Sequence, residues 1–373
     1  TQQPSPRADA HHTKHRVAPP AYEELMSLQH RMSQLYELTE QPLKWQLHLA
    51  SADPNWYACN KLAKLLKQAL VLHPHLIGQY PNGSGWPELK QALSQWMRSF
   101  GLDLSENELL ITNGSTEATS LALQAVAQPG DCIAVESPVY FGVLQTIEKL
   151  GLKAIEIPCN AGTGLSLEAL EYALEHQGSI KAVVAMSSFQ NPTGSCMPDS
   201  HKKKLLKLIE KHQIMLIEDD VFGDLSHQVE RPAPIKVWDK HERVIYIGSC
   251  SKSLAPGFRI GWIAGGRYHA AIKSLKLSYS LVSPLLEQVA LAEFIKGGDM
   301  ALHLRQLRQR LASNVGLAVK AVAQYFPYGT KVISPAGGWW LWLELPPSIS
   351  SLSLLKLAIA NSISFTPGMV FTN

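Results

Sequence analysis

Residues Tyr246–Arg259 read YIGSCSKSLAPGFR, and Ile260, Gly261 and Trp262 follow. The run from Arg243 to Ile247 is mostly apolar and predicts a buried strand. The small residues Gly248, Ser249, Cys250 and Ser251 predict a turn that delivers Lys252. Pro256 and Gly257 break the chain again, and Arg259 stands seven residues beyond the lysine. A lysine at the end of a buried strand loses hydration, which lowers its pKa and makes it a usable amine nucleophile. Small hydroxyl residues with an arginine beside them suit a phosphate. Most lysines are solvated surface residues, so the argument rests on these neighbours rather than on the lysine alone.

An amine nucleophile next to a phosphate seat suggests a site for pyridoxal 5'-phosphate (PLP), with Lys252 as the Schiff-base lysine. The composition allows it. At 373 residues, 46% hydrophobic and 17% charged, the chain can bury a large core and build two domains. A net charge of +3 is too small to argue for nucleic acid or an acidic membrane surface. No apolar run approaches a membrane span, and no signal peptide opens the chain, so a cytoplasmic protein is expected. Cys59, Cys132, Cys159, Cys196 and Cys250 are odd in number and form no Cys-x-x-Cys pair, which favours free thiols.

The chain begins at Thr1 in a polar tail through about Pro20, read as a linker within a longer protein. His11, His12 and His15 there lack the cysteines or carboxylates of a metal site. Helices are expected over Tyr22–Leu38, Lys61–Leu72 and Pro87–Phe100, and a short strand over Trp45–Leu49. From Leu109 strands and helices alternate. Leu109–Thr112 is a strand, Asn113-Gly114-Ser115 a turn, and Thr116–Val126 a helix. A glycine-led helix N-terminus of this kind can bind phosphate through Gly114, Ser115 and Thr116. The strands Cys132–Val135, Lys153–Ile157 and Lys181–Met186 follow, with helices Val143–Leu150, Leu167–His176 and Asp199–His212. A strand from Ile214 then delivers Glu218, Asp219 and Asp220, and Ile260–Ala264 forms another. A helical span from Tyr268 to Ile295 is interrupted around Ser283-Pro284, and His303–Tyr325 is a second long helix. Lys331–Ser334 and the tryptophan-rich Gly337–Glu344 read as strands of a second domain.

Taken together, Ser249, Ser251, Lys252, Gly257, Arg259 and Gly261, the Gln190-Asn-Pro-Thr-Gly194 turn and the Tyr80-to-Leu89 loop resemble class I/II aminotransferases. The resemblance runs from about Tyr22 to the end. Thr112-Asn-Gly114, Glu136-Ser-Pro-Val-Tyr140 and Glu218-Asp-Asp-Val-Phe-Gly-Asp-Leu225 are most similar to the aminotransferase-like domain of MocR-type regulators of the GntR superfamily. The implied fold is α/β, fold-type I: a mostly parallel seven-stranded sheet with helices on both faces, plus a small α+β domain. Residues 76–275 would form the large PLP-binding domain, with 21–75 and 276–373 as the two parts of the small one.

The resemblance also implies roles. Tyr140 would lie flat against the pyridine ring, and Asn191 would bond its phenolic oxygen. Asp219 would sit by the pyridine nitrogen and keep it protonated. Tyr80 would reach the phosphate of the other subunit of a homodimer. Many relatives carry a tyrosine where this chain has Phe222, so that hydrogen bond to the phenolic oxygen is absent or is supplied elsewhere. Asp220 is expected to be structural. The arginine that grips the substrate carboxylate in the family would lie beyond Asn373, and a winged helix-turn-helix, if DNA is bound, outside these residues. Two functions follow. In the first, the Lys252 aldimine exchanges with an amino acid or amine and the domain senses that ligand for a transcriptional regulator. In the second, a stand-alone aminotransferase turns amino acids into keto acids.

Overall fold

The computed structural model describes residues 28–40, 42–80 and 83–372. The expected tail, its histidines and the first turns of the helix from Tyr22 lie outside them. In chain order the first elements are α1 (Leu28–Thr39), β1 (Trp45–Gln46), α2 (Cys59–Leu72) and α3 (Pro87–Arg98). The alternating region follows: β2 (Leu109–Thr112), α4 (Gly114–Val126), β3 (Cys132–Ser137), α5 (Phe141–Lys149), β4 (Lys153–Asn160) and β5 (Gly164–Leu165). It continues through α6 (Leu167–His176), β6 (Ile180–Ala185), α7 (Asp199–Lys211), β7 (Met215–Asp219), β8 (Val244–Ser249) and β9 (Gly261–Ala264). The last part holds α8 (His269–Tyr279), α9 (Leu285–Lys296), α10 (Asp299–Tyr325), β10 (Lys331–Val332), β11 (Leu343–Glu344), α11 (Ser351–Ala360) and β12 (Ile363–Ser364).

The main sheet runs β2-β9-β8-β7-β6-β3-β4-β5. It has eight strands where seven were expected, because Gly164–Leu165 folds back antiparallel on the end of β4. The central strands β3, β6, β7 and β8 pair in parallel, and β9 runs against both its neighbours. Such strands must be apolar on both faces, since helices cover each side. Ile133, Val135, Val184, Ile217 and Ile247 point into the cluster that also takes Ala118 and Leu121 of α4 and Val143 of α5. Their neighbours Ala134, Val183, Ala185, Leu216 and Val244 point the other way, onto Leu170 of α6 and Leu205 of α7. β2, β3, β6, β7 and β8 therefore end on one edge, where ligands collect in open α/β sheets.

Several boundaries differ from the sequence reading. Gly248 and Ser249 are still strand, pairing with Trp262 and Gly261, because β9 offers a ladder that local sequence cannot reveal. Gly114 and Ser115 already belong to α4 rather than to a turn before it. Trp45–Leu49 pairs only at Trp45 and Gln46, in parallel with Ile363 and Ser364 near the other end of the chain. The tryptophan run is not a continuous strand: Leu343 and Glu344 pair with Val332 and Lys331, and Gly337 makes a single bridge to Ser226. Trp339 and Trp340 turn instead onto Phe222, and Trp342 packs on Phe371. Alternation predicted sheet packing; burial of indole rings against aromatic partners from distant segments prevailed. Asp220 is structural as expected, bonded to Arg231 and the Tyr246 hydroxyl within the core.

Candidate active site

Lys252 leaves the end of β8 and is half-buried. Its Nζ donates to the carbonyl oxygen of Ala50 at 2.8 Å. Burial lowers the amine's pKa below the ordinary lysine range; the charge of Asp219 pulls it up and that of Arg259 pushes it down. The three side chains thus share one electrostatic neighbourhood. Asp219 is the last residue of β7 and 6% exposed, with its carboxyl accepting from the Val221 N–H at 3.2 Å. Burial drives its pKa up to about 7; the Val221 hydrogen bond and Lys252 oppose that rise, and Asp220 and Glu218 add to it. A cation set against this carboxyl would keep it ionised.

Arg259 meets the start of α4 by close backbone approach. Arg259 holds a left-handed backbone at φ 53°, which turns its side chain back toward α4. Its Nη1 donates to Ser251 Oγ at 3.3 Å. Gly114, first residue of α4, has φ 78°, and a Cβ placed there would stand 2.5 Å from Arg259 Nη2. A Cβ on Gly261 would stand 2.6 Å from the Gly114 carbonyl carbon. Two glycines therefore let the guanidinium close on the open N-terminus of a 13-residue helix, where free N–H groups and the dipole favour an anion. Behind the turn, Glu117 accepts from the Asn113 N–H at 2.6 Å and from Lys276 Nζ at 3.0 Å. Lys276 is fully buried and also donates to Ser280 Oγ.

Ser249 is placed differently from Ser251. Its buried hydroxyl donates to the Ile260 carbonyl and accepts from the Ser251 N–H, so it shapes the turn. Ser115 is half-buried at the helix start and Thr116 exposed beside it. Tyr140 caps α5 just past β3, half-buried. Its phenol is held above its usual pKa by burial, with Tyr36 and Asp219 adding and Arg259 opposing, which sets it at the same site. Phe222 lies with its ring centroid 5.9 Å from Lys252 Nζ and meets Trp340 at 4.2 Å. Asn191 follows β6 on the same sheet edge, half-buried. Tyr80 stands apart, 86% exposed.

Sequence reading missed the Ala50 carbonyl, the Glu117–Lys276 pair and Glu136. Glu136 is fully buried near the end of β3, and its Oε2 accepts from the Met186 N–H at 3.0 Å. Burial raises its pKa to about 8, against the Met186 hydrogen bond and the nearby Gln190 side chain. Only its place in the Glu136-Ser-Pro-Val-Tyr140 motif pointed to it. Among the described residues no group of histidine, cysteine and carboxylate could hold a metal, and no helix is long and apolar enough to cross a membrane.

A buried carboxyl, a desolvated lysine amine and an arginine closed on a glycine-led helix start lie together at one edge of an α/β sheet. Residues 46–372 match the family of aminotransferases class I and II, and the chain belongs to that family. Its cofactor is pyridoxal 5'-phosphate. The chain is 36% identical over 322 residues to the uncharacterized HTH-type transcriptional regulator YjiR of Escherichia coli, covering 86% of this chain and 67% of that one. It is 32% identical over 324 residues to aromatic-amino-acid aminotransferase 1 of Thermococcus litoralis, covering 85% and 78%. The solved multiple substrate aminotransferase of Thermococcus profundus superposes with a TM-score of 0.85 at 29% identity, covering 94% and 88%. The kynurenine aminotransferase of Pyrococcus horikoshii, solved with PMP, gives the same TM-score at 28% identity, covering 96% and 89%.

The residues present fit that cofactor. Arg259, Ser251 and the α4 start supply a cation, a hydroxyl and N–H donors for a phosphate, and the Gly114 hydrogen leaves the room that a methyl would fill. Asp219 supplies the carboxylate and Lys252 the amine.

Proposed function

We propose that this chain is the PLP-binding, amino-acid- or amine-sensing domain of a MocR/GntR-type transcriptional regulator, working as a cytoplasmic homodimer. Residues 76–275 form its large domain, and 21–75 with 276–373 its small one. The bound cofactor supplies an aldehyde carbon that amines attack and a ring that withdraws electrons. The protein supplies the rest. Gly114, Ser115, Thr116, Ser251 and Arg259 hold the phosphate, Asp219 keeps a positive charge on the ring nitrogen, and Tyr140 and Asn191 hold the ring. Lys252, its pKa lowered by burial, gives up its proton more readily than an ordinary lysine, which suits it to accept and return one.

Phe222 carries the sensor reading. Its ring cannot donate a hydrogen bond, and with Trp340 it puts an apolar wall beside Lys252. A lost hydrogen bond to a charged group is worth about 1.5–3 kcal/mol. The loss slows proton transfer more than ligand exchange at Lys252, and exchange is what a sensor needs. The identity to a named HTH-type regulator supports the same reading. Titrating the intact gene product with a panel of amino acids and amines, beside a keto-acid assay, tests it. Spectral change with a ligand-dependent shift in DNA binding is expected. Rapid multiple-turnover keto-acid production with no ligand effect on DNA refutes the sensor reading. It would favour the stand-alone aminotransferase, which the likeness to the Thermococcus litoralis enzyme supports.

The homodimer draws support from one apolar stretch. Leu70, Val71, Leu72, Ile77 and Tyr80 are all exposed within eleven residues. Such a cluster calls for a partner surface, and a second copy would bring the partner's Tyr80 to the phosphate.

A further inference from the structure

We propose that Gln190 is a positioning residue that fixes Tyr140 and Asn191 at one spacing around the cofactor ring. The inference rests on the reading of those two residues as the ring's holders. Gln190 lies on the loop after β6 and is completely buried. Its Nε2 donates to the carbonyl of Pro138 at 2.7 Å, two residues before Tyr140. Its Oε1 accepts from the Thr193 N–H at 3.0 Å and the Thr193 hydroxyl at 2.6 Å, two residues after Asn191. One amide thus ties the Tyr140 segment to the Asn191 turn.

The main chain of Gln190 adds a third arm. Its carbonyl accepts from the Gly194 N–H at 2.6 Å and from the Trp340 indole at 3.3 Å. Trp340 in turn packs on Phe222, which faces Lys252. Gln190's own N–H donates to the Ser195 carbonyl at 2.8 Å. The preceding residue, Phe189, is a buried aromatic at φ 54°, a left-handed conformation that persists only where the surroundings over-determine it. Packing of the Phe189 ring among Met186, Val221, Phe222 and Leu225 and the hydrogen bonds of Gln190 together hold it there. A side chain serving only the turn would not need to reach Pro138. The Pro138 arm is the part that joins the two sides of the ring seat.

The test uses Gln190→Met, which keeps length and volume and removes both ends of the amide. PLP dissociation constants and the pH dependence of the bound cofactor's visible absorption are measured for wild type, Gln190→Met, Asn191→Ala and the double variant, with melting midpoints taken without cofactor. Gln190→Met is expected to weaken PLP binding about tenfold and to move the pH of the spectral transition. The double variant is expected to lose less than the full factor of about ten beyond Asn191→Ala, because the part of the loss that acts through Asn191 is already gone and only the Tyr140 part remains. Additive losses overturn the proposal. So does a Gln190→Met protein with a lower melting midpoint but unchanged affinity and spectral pH, since that is a structural role alone. If Gln190→Met does not fold, Thr193→Val, which removes one donor to the amide, enters the same cycle with the same expected outcomes. An Asn191→Ala protein whose affinity and spectrum match wild type overturns the placement of Asn191, and with it this proposal, while leaving Lys252 and Asp219 untouched.

Discussion

Replacing Gly114 by alanine separates two costs that the structure places at one atom. The first is backbone strain. At φ 78° an L-residue pays about 1–2 kcal/mol relative to glycine, and this appears in folding stability with or without cofactor. The second falls on the anion seat. The new Cβ would stand 2.5 Å from Arg259 Nη2 and 3.1 Å from Cζ, so the guanidinium must move off the helix start. Arginine bonds to an anion are charge-assisted, each worth about 1.5–3 kcal/mol, which is roughly 10- to 150-fold in PLP affinity. The control is Gly257→Ala, on the loop that carries Arg259, where an added Cβ meets nothing within 4 Å and φ is not positive. That change should alter stability by no more than about 0.5 kcal/mol. PLP titration followed by absorbance gives the affinity, and denaturant melts of the cofactor-free protein give the stability. If Gly114→Ala binds PLP as tightly as Gly257→Ala, Arg259 does not hold the phosphate and the seat described above is wrong.

Asp219 should give a pH signature. Its folded pKa of about 7 lies above the ordinary 3.8, so the native cofactor-free protein binds more protons than the unfolded chain between those values, and its contribution to stability falls as pH rises across that window. Asp219→Asn should therefore stabilise the cofactor-free protein at pH 8, by at most about 4 kcal/mol, and weaken PLP binding; a lower melting midpoint at pH 8 contradicts this. Breaking the buried Lys276–Glu117 pair by Glu117→Gln should cost about 3–5 kcal/mol in a denaturant melt, with Glu117→Gln/Lys276→Met less damaging than the single change. Equal damage from both proteins would mean the pair is not coupled. Borohydride reduction of the PLP-loaded protein should fix the cofactor on the peptide containing Lys252, and recovery on another lysine removes Lys252 from its role. Mixing Tyr80→Phe with Lys252→Ala subunits should give PLP binding unlike the average of the parents, whereas a simple average rules out a shared site.

The sequence by itself determined the order of the strands and helices and the chemistry of the sheet edge. The runs 182–185 and 215–217 are apolar on both faces, and that is a local property of the chain. Lys252, Asn191 and Arg259 could be named as candidates because each stands in a turn with distinctive neighbours, and Asp219 because it closes a buried strand beside two further acids. Pairing and approach between distant segments were not local properties. β8 extends through Ser249 only because β9 returns beside it, so Ser249 hydrogen-bonds the turn while Ser251 meets Arg259. The contact of Lys252 with Ala50 spans 202 residues, and that of Trp340 with Gln190 spans 150. The tryptophan run read as a strand because alternation reports what a segment could bury, not which partner will cover it. A fully buried amide such as Gln190 looks in sequence like any turn residue. Its value comes from satisfying buried donors and acceptors on three segments at once, and only the tertiary structure brings those segments within hydrogen-bond reach.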